Sequence, residues 1–253
     1  MRIYLAATHG ALSKEHRRQL IDIRKPKYQL CTFIEGENNC AESLRESGRD
    51  NFLLDSGAFS FMSGKECNKE TLIEYCDKYI DFINNYNVKQ FFEIDVDTIF
   101  GIEFAELLRR RIESQTGKKS IPVWHKSRGI EYWKKMVADY DYIAIGGLVF
   151  HVKQSEWGMI KKLVDYAYYK GVKVHGLGFT KTRLNEQFRW YSVDSCSWVK
   201  SAVMGQQVQT FNGRYIERKK LDTKGKKANL SKLALHNGLE WCKYQRYMES
   251  KRW

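Results

Sequence analysis

The sequence predicts an α/β fold, a closed (β/α)8 TIM barrel with a basic hairpin–helix appendage at its carboxyl end. Three observations lead there. Short apolar runs alternate with amphipathic stretches of helical period for most of the chain, the pattern of right-handed βαβ units around a parallel sheet. Eight such runs fall within about 195 residues, which suits a closed barrel better than an open doubly wound sheet. After Asp194 the alternation stops and a strongly basic segment begins.

The first apolar run, Arg2–Ala7, leads to a helix over Lys14–Ile23. The second and third, Tyr28–Ile34 and Asn51–Asp55, are followed by a helix over Thr71–Asn85. Gln90–Asp95 precedes a helix at Glu103–Ser114, Ile121–His125 one at Glu131–Asp139, and Tyr142–Gly146 one at Gln154–Tyr169. Val172–Gly176 leads to a helix at Thr182–Phe188, and the last run is Trp190–Asp194. Beyond it, VQTFNGRYIER alternates like a hairpin with Asn-Gly at its turn, and a helix runs from about Ala228 to Met248. Two prolines (Pro26 and Pro122) and no repeat or linker make the 253 residues read as one domain, with the barrel over 1–197 and the appendage over 198–253.

Composition narrows the function. A hydrophobic fraction of 43% excludes disorder, and no run approaches the roughly 18 apolar residues of a membrane span. The opening MRIYLAATHG lacks a signal-peptide pattern and the six cysteines form no CxxC pair, so reduced thiols in a cytoplasm are expected, a host's if the protein is phage-encoded. The formal charge is +13, and 13 basic against four acidic residues lie between Trp198 and Trp253. There Arg214, Arg218, Lys219, Lys220, Lys224, Lys226 and Lys227 are interleaved with Tyr215, Trp241, Tyr244 and Tyr247, a mixture suited to phosphates and stacked bases. A charge run is usually a solvated face, but this one favours a nucleic-acid partner.

What ends each run carries the chemistry. Thr8-His9, Asp55-Ser56-Gly57, Asp95 with Asp97, His125, Gly146-Gly147, His175-Gly176 and Asp194-Ser195 all stand at strand ends, which in a barrel open onto one mouth. Each alone is an ordinary turn or structural residue. Carboxylates arriving from several strands are harder to dismiss, and two facing one centre suit displacement at an acetal-like carbon. A basic surface around an acidic pocket fits an N-glycosidic bond in a nucleic acid, with Phe59, Phe61 and Trp124 placed to stack on an extruded base.

FLLDSGAFS (52–60), YIAIGGLV (142–149), VHGLGFTKTRLNEQFRWYSVDSCSW (174–198) and ALHNGLEWCKYQRYME (234–249) resemble, in order and spacing, segments of the tRNA-guanine transglycosylase superfamily. The small size is most like its compact phage-type DNA-guanine transglycosylases (the DpdA group). The resemblance implies that Asp194 attacks C1′ to form a covalent sugar intermediate and that Asp55 is the general acid/base. It further implies that Asp95 binds the purine's amidine edge, that the backbone of Gly146, Gly147 and Leu148 bonds the base, and that Phe59 stacks on it. Ser56, Trp124 and His175 join the expected substrate-binding set. The incoming base would be a 7-deazaguanine such as preQ0 or preQ1.

The departures are informative. Nothing between Cys196 and His236 supplies the family's CxCxxC ligands, so neither structural zinc nor any other cofactor is expected, and His236 is read as a packing or capping remnant. His125 falls near the family's base-reading glutamine, as a replacement for it or as structural support. DNA is the preferred substrate and tRNA the alternative; a non-catalytic nucleic-acid-binding partner subunit and a base-excising glycosylase compete. A homodimer or an accessory protein is left open.

Overall fold

The computed structural model describes residues 1–10, 12–62, 67–148, 152–221 and 229–251. It begins with β1 (Arg2–Ala6), α1 (Lys14–Arg24), β2 (Gln29–Thr32), α2 (Glu37–Ser47) and β3 (Phe52–Asp55). Then come α3 (Ala58–Met62), α4 (Lys69–Asn85), α5 (Asp97–Phe100), α6 (Ile102–Thr116), β4 (Val123–Trp124), α7 (Gly129–Asp139) and β5 (Tyr142–Ile145). The barrel ends with α8 (Trp157–Tyr169), β6 (Lys173–Gly176), β7 (Ser192–Ser195) and α9 (Ser197–Val203). An antiparallel hairpin, β8 (Gln207–Phe211) with β9 (Ile216–Lys220), and the long helix α10 (Leu230–Ser250) follow.

Seven strands form one parallel sheet in the order β3-β2-β1-β7-β6-β5-β4. The predicted fourth strand, Gln90–Asp95, is no full ladder strand. Two isolated parallel bridges, Leu54 to Phe91 and Phe92 to Ile121, stitch that segment between β3 and β4 and close the (β/α)8 barrel. Four backbone hydrogen bonds make the seam, among them Phe92 N–H to Leu54 O at 3.0 Å and Ile121 N–H to Phe91 O at 2.8 Å.

Alternation sorts the strand residues. Tyr4, Leu30, Leu53, Phe92, Val123 and Ala144 fill the barrel interior, while Ile3, Leu5, Ile143, Ile145 and Val193 meet the surrounding helices. The start of α4 lies two residues before the predicted one because Asn68 caps it, exchanging bonds with Thr71. Four of the described helices were not expected: α2, α9 and the short α3 and α5. The predicted helix at Thr182–Phe188 is absent: only a 3-10 turn forms at Asn185–Gln187, and the buried Thr182 hydroxyl accepts from Ile216 N–H (3.2 Å). α10 starts at Leu230, capped by Asn229, and packs along α1, α9 and β8. No described helix is long and apolar enough to cross a membrane.

Candidate active site

The carboxyl ends of the strands open into a cavity of about 1130 Å³ lined by Asp55, Asp95 and Asp194 together with Phe92, His125, Gly146, Gly147 and Leu148. The three carboxylates reach it from β3, from the seam segment and from β7.

Asp194 is held from one side. Its Oδ1 accepts from Gly178 N–H at 2.7 Å and lies 3.1 Å from His175 Nε2. His175 has no exposed surface, and its Nδ1 is 2.7 Å from Ser192 Oγ, which in turn meets the Tyr142 hydroxyl at 2.6 Å. An ionised Asp194 can only accept, so Nε2 carries the proton and donates, and Nδ1 accepts from Ser192. Both bonds fall on Oδ1, leaving Oδ2 for a reacting carbon. His175, expected to touch substrate, instead sits beneath Asp194 and positions it.

Asp55 sits deep, with part of its surface open to the cavity. Its Oδ1 accepts from Gly57 N–H (3.2 Å) and its Oδ2 from Thr32 Oγ (3.4 Å). Burial, reinforced by the negative charges of Asp95 and Asp194, pushes its carboxyl up to about 7. Gly57 has φ +77°, and a Cβ there would meet Thr32 Cγ2 at 2.9 Å, so glycine lets the chain fold back over Asp55.

Asp95 belongs to an ionic network. His125 Nε2 is 3.3 Å from Asp95 Oδ2, and its Nδ1 is 3.0 Å from Asp97 Oδ1. Burial works against the imidazolium, but hydrogen bonds to the two carboxylates prevail and raise it to about 9. Arg128 donates to Asp97 (2.7 Å) and to the fully buried Glu93 (2.8 Å), and Arg109 bonds Glu93 from the other side at 3.2 Å. Both imidazolium protons are thus directed at carboxylates, and His125 fixes Asp95 rather than replacing a base-reading amide. Gly146 makes room for it: a Cβ there would meet His125 Nε2 at 2.5 Å. The Gly146 N–H is taken by Trp124 O (2.9 Å) as part of the sheet, so it is no donor to a bound base.

The remaining expected residues divide. Trp124 is a core side chain that lines the cavity with 2% of its surface exposed, packed edge-on to Trp133 and donating to Gly129 O at 2.8 Å. Ser56 is buried, and its hydroxyl has no partner among the described residues. Phe59 stands on α3, its side chain outside the described residues, and Phe61 packs edge-on to Tyr75. Arg218 reaches the cavity rim beside Lys200. Lys219 and Lys220 are exposed on β9, while Arg214 is paired with Glu186 at 3.0 Å. Lys224, Lys226 and Lys227 lie outside the described residues.

His236 is exposed in the middle of α10 and caps nothing. Its neighbour Asn237 is the structural residue: fully buried, it accepts from Gln209 N–H (2.8 Å) and donates to Trp198 O and Gln207 O (3.0 Å each). Among the described residues no group of three His, Cys, Asp or Glu is arranged to hold a metal ion. Sequence reasoning missed Gly178, Ser192, Glu93, Arg109 and Arg128. Only Glu93 leaves a signal, as an acid set between Phe92 and Ile94 in the run FFEID.

No family model and no curated protein matches the chain. Solved structures similar to it include a GH113 beta-1,4-mannanase complex, 9% identical with a TM-score of 0.45 over 69% of this chain and 70% of that one. A second is the carboxyl transferase domain from Rhizobium etli pyruvate carboxylase with 3-bromopyruvate (12%, TM-score 0.49, 97% of this chain and 48% of that one). A third is a mandelate racemase/muconate lactonizing family protein from Azoarcus sp. EbN1 (12%, TM-score 0.44, 73% and 45%). The chain spans less than half the length of the latter two.

Proposed function

We propose that this chain is an enzyme, a pentosyltransferase that exchanges guanine in DNA for a 7-deazaguanine base by double displacement. The observation that carries the reading is the contrast between two carboxylates facing one cavity. Asp194 is anchored through one oxygen with the other free, whereas Asp55 holds a proton up to about pH 7.

Asp194 Oδ2 attacks C1′ of the target nucleotide, the C1′–N9 bond breaks, and Asp55 gives its proton to the departing guanine. The bond from Asp194 to C1′ holds the sugar while guanine leaves. The ring N–H of the incoming base then loses its proton to Asp55, its nitrogen attacks C1′, and the C1′–O bond to Asp194 breaks. Asp55 ends protonated and Asp194 ionised, as they began. Hydrogen bonds from His175 and Gly178 hold Oδ1 throughout and stabilise the charge that returns to Asp194. Asp95, fixed by His125, faces the amidine edge of the base.

The test is incorporation of radiolabelled guanine or 7-deazaguanine into duplex DNA, single-stranded DNA and bulk tRNA. Label should enter DNA and fall about 1000-fold or more with Asp194→Ala, with loss of the covalent adduct. Label entering only tRNA would transfer the chemistry to that polymer. A fully active Asp194→Ala protein would sink the mechanism, and no label anywhere would leave a non-catalytic partner subunit as the better reading.

A further inference from the structure

At the opposite end of the barrel, where the strands begin, lies a second cavity of about 520 Å³. Arg2 opens β1, Lys173 opens β6, Arg189 and Tyr191 precede β7, Tyr28 precedes β2, and all five line it. Lys251 and Glu249 complete its charged wall.

The way these cations are held sets the cleft apart. The Arg2 guanidinium lies between two rings, 5.2 Å from the Tyr28 centroid and 5.1 Å from that of Tyr191. Lys173 Nζ is 5.0 Å from the Tyr191 ring, and Arg189 is 4.7 Å from Tyr168. Rings fix a cation in place without cancelling its charge, as a carboxylate would. Among the described residues no carboxylate forms an ion pair with Arg2, Lys173 or Lys251, and Arg189 has only a 3.7 Å approach to Asp165. Among the described residues of the wall the acid is Glu249, and it is taken by Lys27 and by the Tyr28 hydroxyl (2.7 Å). The described residues of the cleft therefore carry a net positive charge among aromatic side chains.

We propose that this cleft is a binding site for a nucleoside phosphate. The phosphate would take its hydrogen bonds from Arg2, Lys173 and Arg189, and the base would lie among the tyrosines. The volume is that of a small-molecule site and is closed on one side by the floor of the barrel, whereas a duplex would lie across the face. The cleft stands at the other end of the strands from Asp194, so this site and the proposed base exchange stand or fall separately.

The experiment is calorimetric titration of the full chain with GMP, guanosine, inorganic phosphate and a 12-nucleotide DNA strand. GMP should bind at least tenfold more tightly than guanosine, be displaced by inorganic phosphate, and lose at least tenfold in affinity with Lys173→Glu or Arg189→Glu. Lys134→Glu, the same charge reversal on α7 outside both cavities, should leave GMP binding unchanged. Equal affinity in the charge-reversed proteins, or guanosine binding as well as GMP, would overturn the assignment. So would a DNA strand that displaces GMP and depends on the same two side chains, since the phosphate would then belong to the polymer. Should the variants not fold, the salt dependence of GMP binding to the unaltered protein decides: a flat response removes the proposed ion pairing.

Discussion

Asp55 and Asp194 are the same residue type in two environments, and the difference is made by what each carboxylate touches. Asp194 accepts from a backbone N–H and an imidazole on one oxygen, which fixes its direction and leaves the other oxygen facing the cavity. Asp55 is buried beside two like charges, which favours the neutral form. The sign gives a testable pH profile. In the proposed exchange, release of guanine needs protonated Asp55, so formation of the covalent adduct should fall tenfold per pH unit above about 7, while Asp55→Asn should flatten that limb. Single-turnover trapping across pH 6–9 reads it. The same raised value means that Asp55 costs stability as pH climbs from its unfolded value near 4 through about 7. Asp55→Asn should therefore gain most over the unaltered protein, in urea midpoint, above pH 7. An adduct yield that rises above pH 8 would refute the acid role.

Among elements, the hairpin β8–β9 and helix α10 depend on one another through Asn237, whose amide satisfies groups on both sides of the contact. Asn237→Ala strands a buried N–H and two carbonyls, at a cost of about 2–4 kcal/mol, and thermal melting should show the loss. His236→Ala, at an exposed position, should leave the melting temperature within a degree. The element scale is also where the sequence was most and least legible. Strands announced themselves because both faces of a barrel strand are covered, so their apolar runs are continuous. The helix α2 hid because its buried face is Cys40, Ala41, Ser43 and Leu44, small or polar residues that give little apolar period in ENNCAESLRES. The segment Thr182–Phe188 looked helical by spacing but is claimed by tertiary bonds, as Thr182 and Asn185 fasten the hairpin and Tyr244. Carboxylates at strand ends were readable for the same reason as the strands. The ionic network behind them was not, because Arg128 meets Glu93 and Asp97 only after the barrel closes.

Over the whole molecule, charge is divided by place: acids line the mouth and bases stand on its rim and on β9. On the proposed function a polyanion would meet the rim first, so charge reversal at Lys219 and Lys220 should weaken nucleic-acid binding severalfold for every sequence alike and flatten its salt dependence. Fluorescence anisotropy at two salt concentrations measures both, and unchanged affinity would refute the rim's role. The barrel as a whole is closed at a seam with few backbone bonds, beside which Glu93 is gripped by Arg109 and Arg128. Replacing any one of these three upsets the charge balance of a buried cluster that extends through Arg128 to Asp97 and through Arg109 to Glu106. Elsewhere in the wall, sequence drift can proceed one methylene at a time. At the seam it cannot, and a lineage of such proteins could exchange this triad for apolar packing only by changing all three positions nearly at once.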